Sequence, residues 1–366
     1  MQLIRKLHSK PLSKLPRRPA SRLALFVVTL LLVIGFGYLL HPPSAPAQGQ
    51  VINLYSTRHY NTDRRLYDDF TTQTGIRVNL VEIEGAGNAI QRIKSEGANS
   101  PADILLTVDA GNLWRAQQEG LFQPIKSKVL ESKIPAHLRD PEGHWFGFSR
   151  RIRVIYYNKE RVNFNDVKTY DDLADPKFRG RVVMRSSSNI YNQSFVASLI
   201  ARQGVQKAEE WARGVVANFA RPPAGNDTSN IRDVAAGVGD LTMGNTYYFG
   251  RLVNSNRPED QEVVRKVGMI FPDQQGEGAH VNISGGGVLK TSRNKAAAIR
   301  FLEYLVSDSA QSYFADGNFE FPVVAGVKIN DKVRGFGVFR ESKLNASELG
   351  KNQAEAVRVL DRAGWK

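Results

Sequence analysis

The chain has 366 residues, 42% of them hydrophobic, a formal net charge of +14 and no cysteine. That length suits two domains of ordinary size, and the missing thiols exclude a disulfide framework, a thiolate metal site, a thiol nucleophile and a lipoprotein-type anchor. Seven basic residues (Arg5, Lys6, Lys10, Lys14, Arg17, Arg18, Arg22) fall in residues 1–47, which hold no Asp or Glu; no basic stripe interleaved with aromatics follows them, so nucleic acid is not an expected partner.

Residues 1–47 read as a signal peptide or an N-terminal membrane anchor. An uncharged apolar run from Leu23 to Leu40 follows the basic stretch, and Ala45-Pro46-Ala47 resembles a cleavage box. The run is long for a signal and short for a span. Arg17-Arg18 also fits a twin-arginine export signal. The rest of the chain is expected outside the cytoplasm, in the periplasm, tethered to the inner membrane if the leader stays uncleaved.

Strand and helix then alternate. Val51–Tyr55 reads as a strand and Thr62–Thr74 as a helix stopped by Gly75, with Leu66, Tyr67 and Phe70 on its inner face. Ile76–Ile83 alternates as a strand, Asn88–Ser95 is helical, Asp103–Val108 is a buried strand and Gly111–Glu119 a helix. This order predicts a mostly parallel sheet covered by helices. Trp145–Asn158 is one long extended segment, able to leave one domain and enter another. A second series follows: strand Arg181–Arg185, helices Tyr191–Gln203, Ala208–Ala217 and Thr228–Ala236, strand Asp240–Met243 and helix Tyr247–Asn254. Val267–Pro272 and His280–Lys290 read as return strands, and Lys295–Ser307, Ser309–Ala315 and Ala354–Gly364 as helices. The expected class is α/β, with two lobes joined by crossover strands and a ligand cleft between them. Residues 48–148 with about 277–312 would form one lobe, and 149–276 with about 313–366 the other. Gly285-Gly286-Gly287 lacks the Lys-Ser or Lys-Thr of a phosphate loop and points to close backbone packing.

Three sets of phenols fall at strand-to-helix junctions: Tyr60 beside His59, Tyr191 after the Ser186–Asn189 cluster, and Tyr247-Tyr248 after Asn245-Thr246. Such junctions form the rim where open α/β sheets bind ligands. A Tyr-Tyr pair alone is usually structural, as is a lone His; the joint placement favours a site. Four phenolic oxygens and an imidazole make a hard donor set, suited to a small, highly charged cation. No acidic cluster accompanies them, as calcium or magnesium would require, and the histidines are too scattered for zinc. A phenol with a pKa of about 10 must lose its proton to ligate, and a trivalent ion supplies that drive. By elimination the metal is Fe(III). Four phenolates would leave one net negative charge. Arg251, one turn beyond Tyr247, is the first candidate to offset it and Arg151 the second; Arg153, also on the crossover strand, and Arg58 beside His59 are further candidates.

The stretches STRHYNTD, EGANSPADILLTVDAGNLWRA, GHWFGFSRRIRVIYYNK, DPKFRGRVVMRSSSNIYNQS, GNDT, GNTYYFGRL and HVNISGGGVLK resemble the periplasmic ferric-iron-binding proteins of ABC iron importers, their cyanobacterial branch above all. The likeness spans nearly all of residues 51–366. It implies a type II periplasmic binding protein fold with Fe(III) held in the cleft by Tyr60, Tyr191, Tyr247 and Tyr248, and His59 as a variable fifth ligand. Other branches add an exogenous anion such as carbonate. The implied partners are an inner-membrane permease and its ATPase, the implied state a monomer. No nucleophile–base pair suggests an enzyme. The alternative is the same fold binding an oxyanion or small organic anion without metal, through the N-cap clusters Ser186–Asn189 and Asn245-Thr246.

Overall fold

A computed structural model describes residues 49–366 apart from positions 59 and 61. The expected leader with its arginine pair and the expected ligand His59 therefore lie outside the described residues. Among the described residues no helix is long and apolar enough to cross a membrane.

The strands are β1 (Val51–Ser56), β2 (Arg77–Glu82), β3 (Ile104–Val108), β4 (Phe146–Asn158), β5 (Leu241–Asn245), β6 (Val267–Ile270), β7 (Val281–Val288) and β8 (Phe321–Pro322). Their order in the sheet is β2-β1-β3-β7-β4-β5, with β6 and β8 also on β4. Among the strand pairs of the described residues, only β1–β2 and β1–β3 are parallel. There, helices Asp63–Thr74 and Ala86–Glu96 provide the crossovers that parallel neighbours need. β7 runs antiparallel to β3 and β4, and β4 antiparallel to β5 and β6. The expected mostly parallel sheet is thus corrected, because the chain returns through β4 and β7 in opposite senses. The expected strand Arg181–Arg185 is also absent: Val182 makes only isolated bridges to Phe219 and Leu241.

Strand β4 matches the long extended segment expected from the sequence. Residues Phe146 to Ile152 pair with β7, and Arg153 to Asn158 pair with β5 and β6. Three apolar clusters flank it. The first holds Leu54, Phe70, Leu105, Phe148 and Phe301, the second Phe195, Trp211, Met243 and Trp365, the third Val154, Tyr156, Ile231, Tyr247 and Phe321. Each large side chain so buried contributes about 1.5–3 kcal/mol. The glycine run on β7 serves close approach: a Cβ on Gly287 would lie 2.1 Å from the His144 carbonyl oxygen, and one on Gly286 2.6 Å from that of Leu105.

Candidate metal centre

Two of the phenol sets begin helices. Asn189 caps helix Ile190–Gln203 by accepting the Tyr191 N–H at 3.1 Å, which holds Tyr191 in the first turn. β5 runs directly into helix Thr246–Val253, so Tyr247 and Tyr248 also occupy a first turn. Their rings lie 4.2 Å apart between centroids. The Tyr247 and Tyr191 hydroxyls approach to 3.4 Å. Tyr60 lies between β1 and helix Asp63–Thr74. The Arg251 guanidinium joins it to the others, 5.1 Å from the Tyr60 and Tyr247 ring centres and 5.8 Å from that of Tyr248. One loop and two helix starts far apart in sequence therefore bring four phenols to one place. Among the described residues, no group of three or more His, Asp or Glu forms a competing metal site.

Three of the expected arginines take different positions. Arg251 is exposed on the helix face it shares with Tyr247. Arg151 is buried, 5.9 Å from the Tyr191 ring centre and 5.8 Å from that of Tyr247. Arg58 is buried too and stacks 4.7 Å over Tyr60. It bonds Asp63 at 2.8 Å and Glu320 at 3.0 Å. Glu320 also accepts from Arg151 at 3.0 Å, and Ser284 of β7 bonds both guanidiniums. Arg151 Nη1 is buried with no hydrogen-bond partner among the described residues.

Burial pushes the phenols of Tyr60, Tyr247 and Tyr248 up from their ordinary range, since a phenolate without counter-charge is poorly solvated there. Arg151 works against this at Tyr60 and Tyr247, as Arg58 does at Tyr60 and Arg185 at Tyr248. Burial also opposes the charge on Glu320, yet Arg58 and Arg151 hold its carboxyl down at about 2. Tyr60, Tyr247 and Tyr248 are thus held toward the neutral phenol by burial, with cations placed to favour the ionised form. Such a set discriminates by charge: only a strongly charged cation displaces the protons.

Arg185 and Asp227, which extend this arginine layer, escaped the sequence analysis. Arg185 lies 5.6 Å from the Tyr191 ring centre and pairs with buried Asp227 at 3.0 Å. Arg153 reaches Asp227 at 3.3 Å and the Asn192 amide oxygen at 2.6 Å. The legible signal was Asn226, whose capping box with Ser229 starts the helix that carries Asp227.

Residues 99–334 match the bacterial extracellular solute-binding protein family. The chain is 52% identical over 321 residues to Synechocystis iron uptake protein A1, covering 88% of this chain and 89% of that one. It is 53% identical over 327 residues to iron uptake protein A2 of the same organism, covering 89% and 93%. The Trichodesmium protein FutA (IdiA), solved in complex with iron and citrate ligands, superposes with a TM-score of 0.84 at 58% identity, over 86% of this chain and all of that one. With that match and those coverages, the chain belongs to the bacterial extracellular solute-binding proteins.

Proposed function

We propose that this protein binds Fe(III) outside the cytoplasm and delivers it to an ABC transporter permease and its ATPase. Tyr60, Tyr191, Tyr247 and Tyr248 are the ligands in this reading, with His59 as the fifth. The observation that carries it is the gathering of phenols from separate segments under Arg58, Arg151 and Arg251. Iron, as cargo, displaces the phenolic protons. The guanidiniums offset the excess negative charge, and Glu320 fixes two of them in place. Reduction to Fe(II) removes a unit of charge and weakens the hold of four phenolates.

The rest of the proposal concerns setting. Residues 48–148 with about 277–312 form one lobe and the remainder of the exported chain the other, hinged along β4 and β7. The protein works as a monomer in the periplasm. A small anion such as carbonate completes the shell, bound by the free Nη1 of Arg151.

Iron loading followed by a visible spectrum and metal analysis tests the assignment. One iron per chain with a tyrosinate-to-iron band is expected; a colourless, iron-free protein overturns it. The second reading, a metal-free oxyanion site, is favoured by the same unpartnered nitrogen and by the Asn189-capped helix N-terminus. Phosphate or citrate binding to metal-stripped protein, with no iron uptake, would select it.

A further inference from the structure

Asp109 closes the turn after β3 on left-handed backbone, with φ at 76°. That conformation is uncommon for a residue with a Cβ and persists only where the surroundings impose it. Its carboxylate is completely buried. It accepts the Gly111 N–H at 2.9 Å, capping helix Ala110–Gln118. A serine or asparagine caps as well without a buried charge, so the cap alone does not account for the residue.

The other partners come from far along the chain. The Ser194 hydroxyl donates to the carboxylate at 2.6 Å, and the Asn282 amide donates at 2.8 Å. Asn282 belongs to β7, and its own oxygen accepts from the Ala110 and Ile283 N–H groups at 2.9 and 2.8 Å. Ser194 belongs to helix Ile190–Gln203, three residues past Tyr191, and is itself fully buried. One carboxylate thus ties the end of β3, the return strand β7 and the helix that begins with a phenol. Burial raises its pKa to about 6 despite those donors and Arg151, the charged group that acts on it.

We infer that Asp109 is a positioning residue for iron binding: through Ser194 it fixes the rotation of helix Ile190–Gln203 and so aims the Tyr191 hydroxyl at that of Tyr247. Residues three apart on a helix share a side of it. Holding Ser194 against a rigid turn therefore sets the direction of Tyr191. The inference rests on the iron-binding function proposed above.

The test compares Fe(III)-loaded wild type with Ser194→Ala, Ser194→Thr and Ser198→Ala. Ser198 is a buried serine on the same helix whose hydroxyl bonds only the nearby Phe195 carbonyl. The readouts are the position of the visible band and the rate of iron release to excess EDTA. Loss of a hydrogen bond to a charged acceptor should speed release about tenfold in Ser194→Ala and shift its band. Ser194→Thr restores both, and Ser198→Ala leaves both at the wild-type values. A Ser194→Ala protein with the wild-type band and release rate overturns the inference while leaving the iron site standing. A wild-type protein with no band overturns both.

Discussion

The hydroxyls of Tyr191 and Tyr247 lie 3.4 Å apart although 56 positions separate them in the chain. Two neutral phenols at that distance share a weak hydrogen bond; two phenolates would repel unless a cation lay between them. Removing either oxygen should therefore cost the metal rather than the fold. Tyr191→Phe is expected to keep the wild-type unfolding midpoint, to lose at least tenfold in iron affinity, about 1.4 kcal/mol, and to show a weakened visible band. Chelator competition and the spectrum measure both.

Arg151 draws the phenols of Tyr60 and Tyr247 toward ionisation. In Arg151→Gln that help is gone, so protons compete better with iron. The pH at which half the sites fill should move upward. Band intensity against pH, at fixed total iron and chelator, reads the shift; an unmoved midpoint refutes the role.

Glu320 is fully buried between two guanidiniums. Breaking one side of such a group leaves uncompensated charge, at a cost of about 3–5 kcal/mol. Glu320→Gln should lower the urea midpoint accordingly. The added positive charge still favours phenolate, so whatever fraction remains folded should retain the iron band. Urea titration with and without iron separates the two effects.

His280 contributes to the pH dependence of the metal-free fold. It is buried against the edge of Phe195, and burial, with Arg153 and Arg202 nearby, holds its pKa down at about 3. The unfolded chain takes up this proton near pH 6.5, the folded chain only near 3. Stability therefore rises with pH across that window and falls as pH drops below about 6.5, by up to about 1.4 kcal/mol per unit. His280→Gln should flatten the acid limb of a stability–pH curve measured by urea unfolding. An unchanged slope would rule out this histidine as the cause.

Much of the phenol cluster was legible because its members announce themselves locally. Phenols beside cap residues at strand ends need no knowledge of tertiary structure to stand out, and WFGFSRRIRVIYYN reads as extended whatever surrounds it. Sheet direction was not legible: periodicity marks a strand without saying which way it runs, and the senses of β4 and β7 follow from the path of the returning chain. The segment Arg181–Arg185 has strand composition, yet no ladder forms on it beyond Val182. The buried ion network was hidden for a different reason. Glu320 meets Arg58 across 262 positions, and a single acid within NFEFPV carries no sign that two guanidiniums await it.

Along β4, Arg151 and Arg153 point to the side where the tyrosines and Asn192 gather, while Arg150 points away, bonding the Pro322 carbonyl at 2.8 Å and pairing with Glu341. Successive side chains of a strand alternate faces. Deleting one residue from this ribbon between Phe146 and Arg151 would swap the two sides, sending Arg150 into the centre and Arg151 out, or else would drag β7 out of step by the same amount. Surface loops can lengthen or shorten without that penalty, so the number of residues along β4 is constrained more tightly than the identity of most of them.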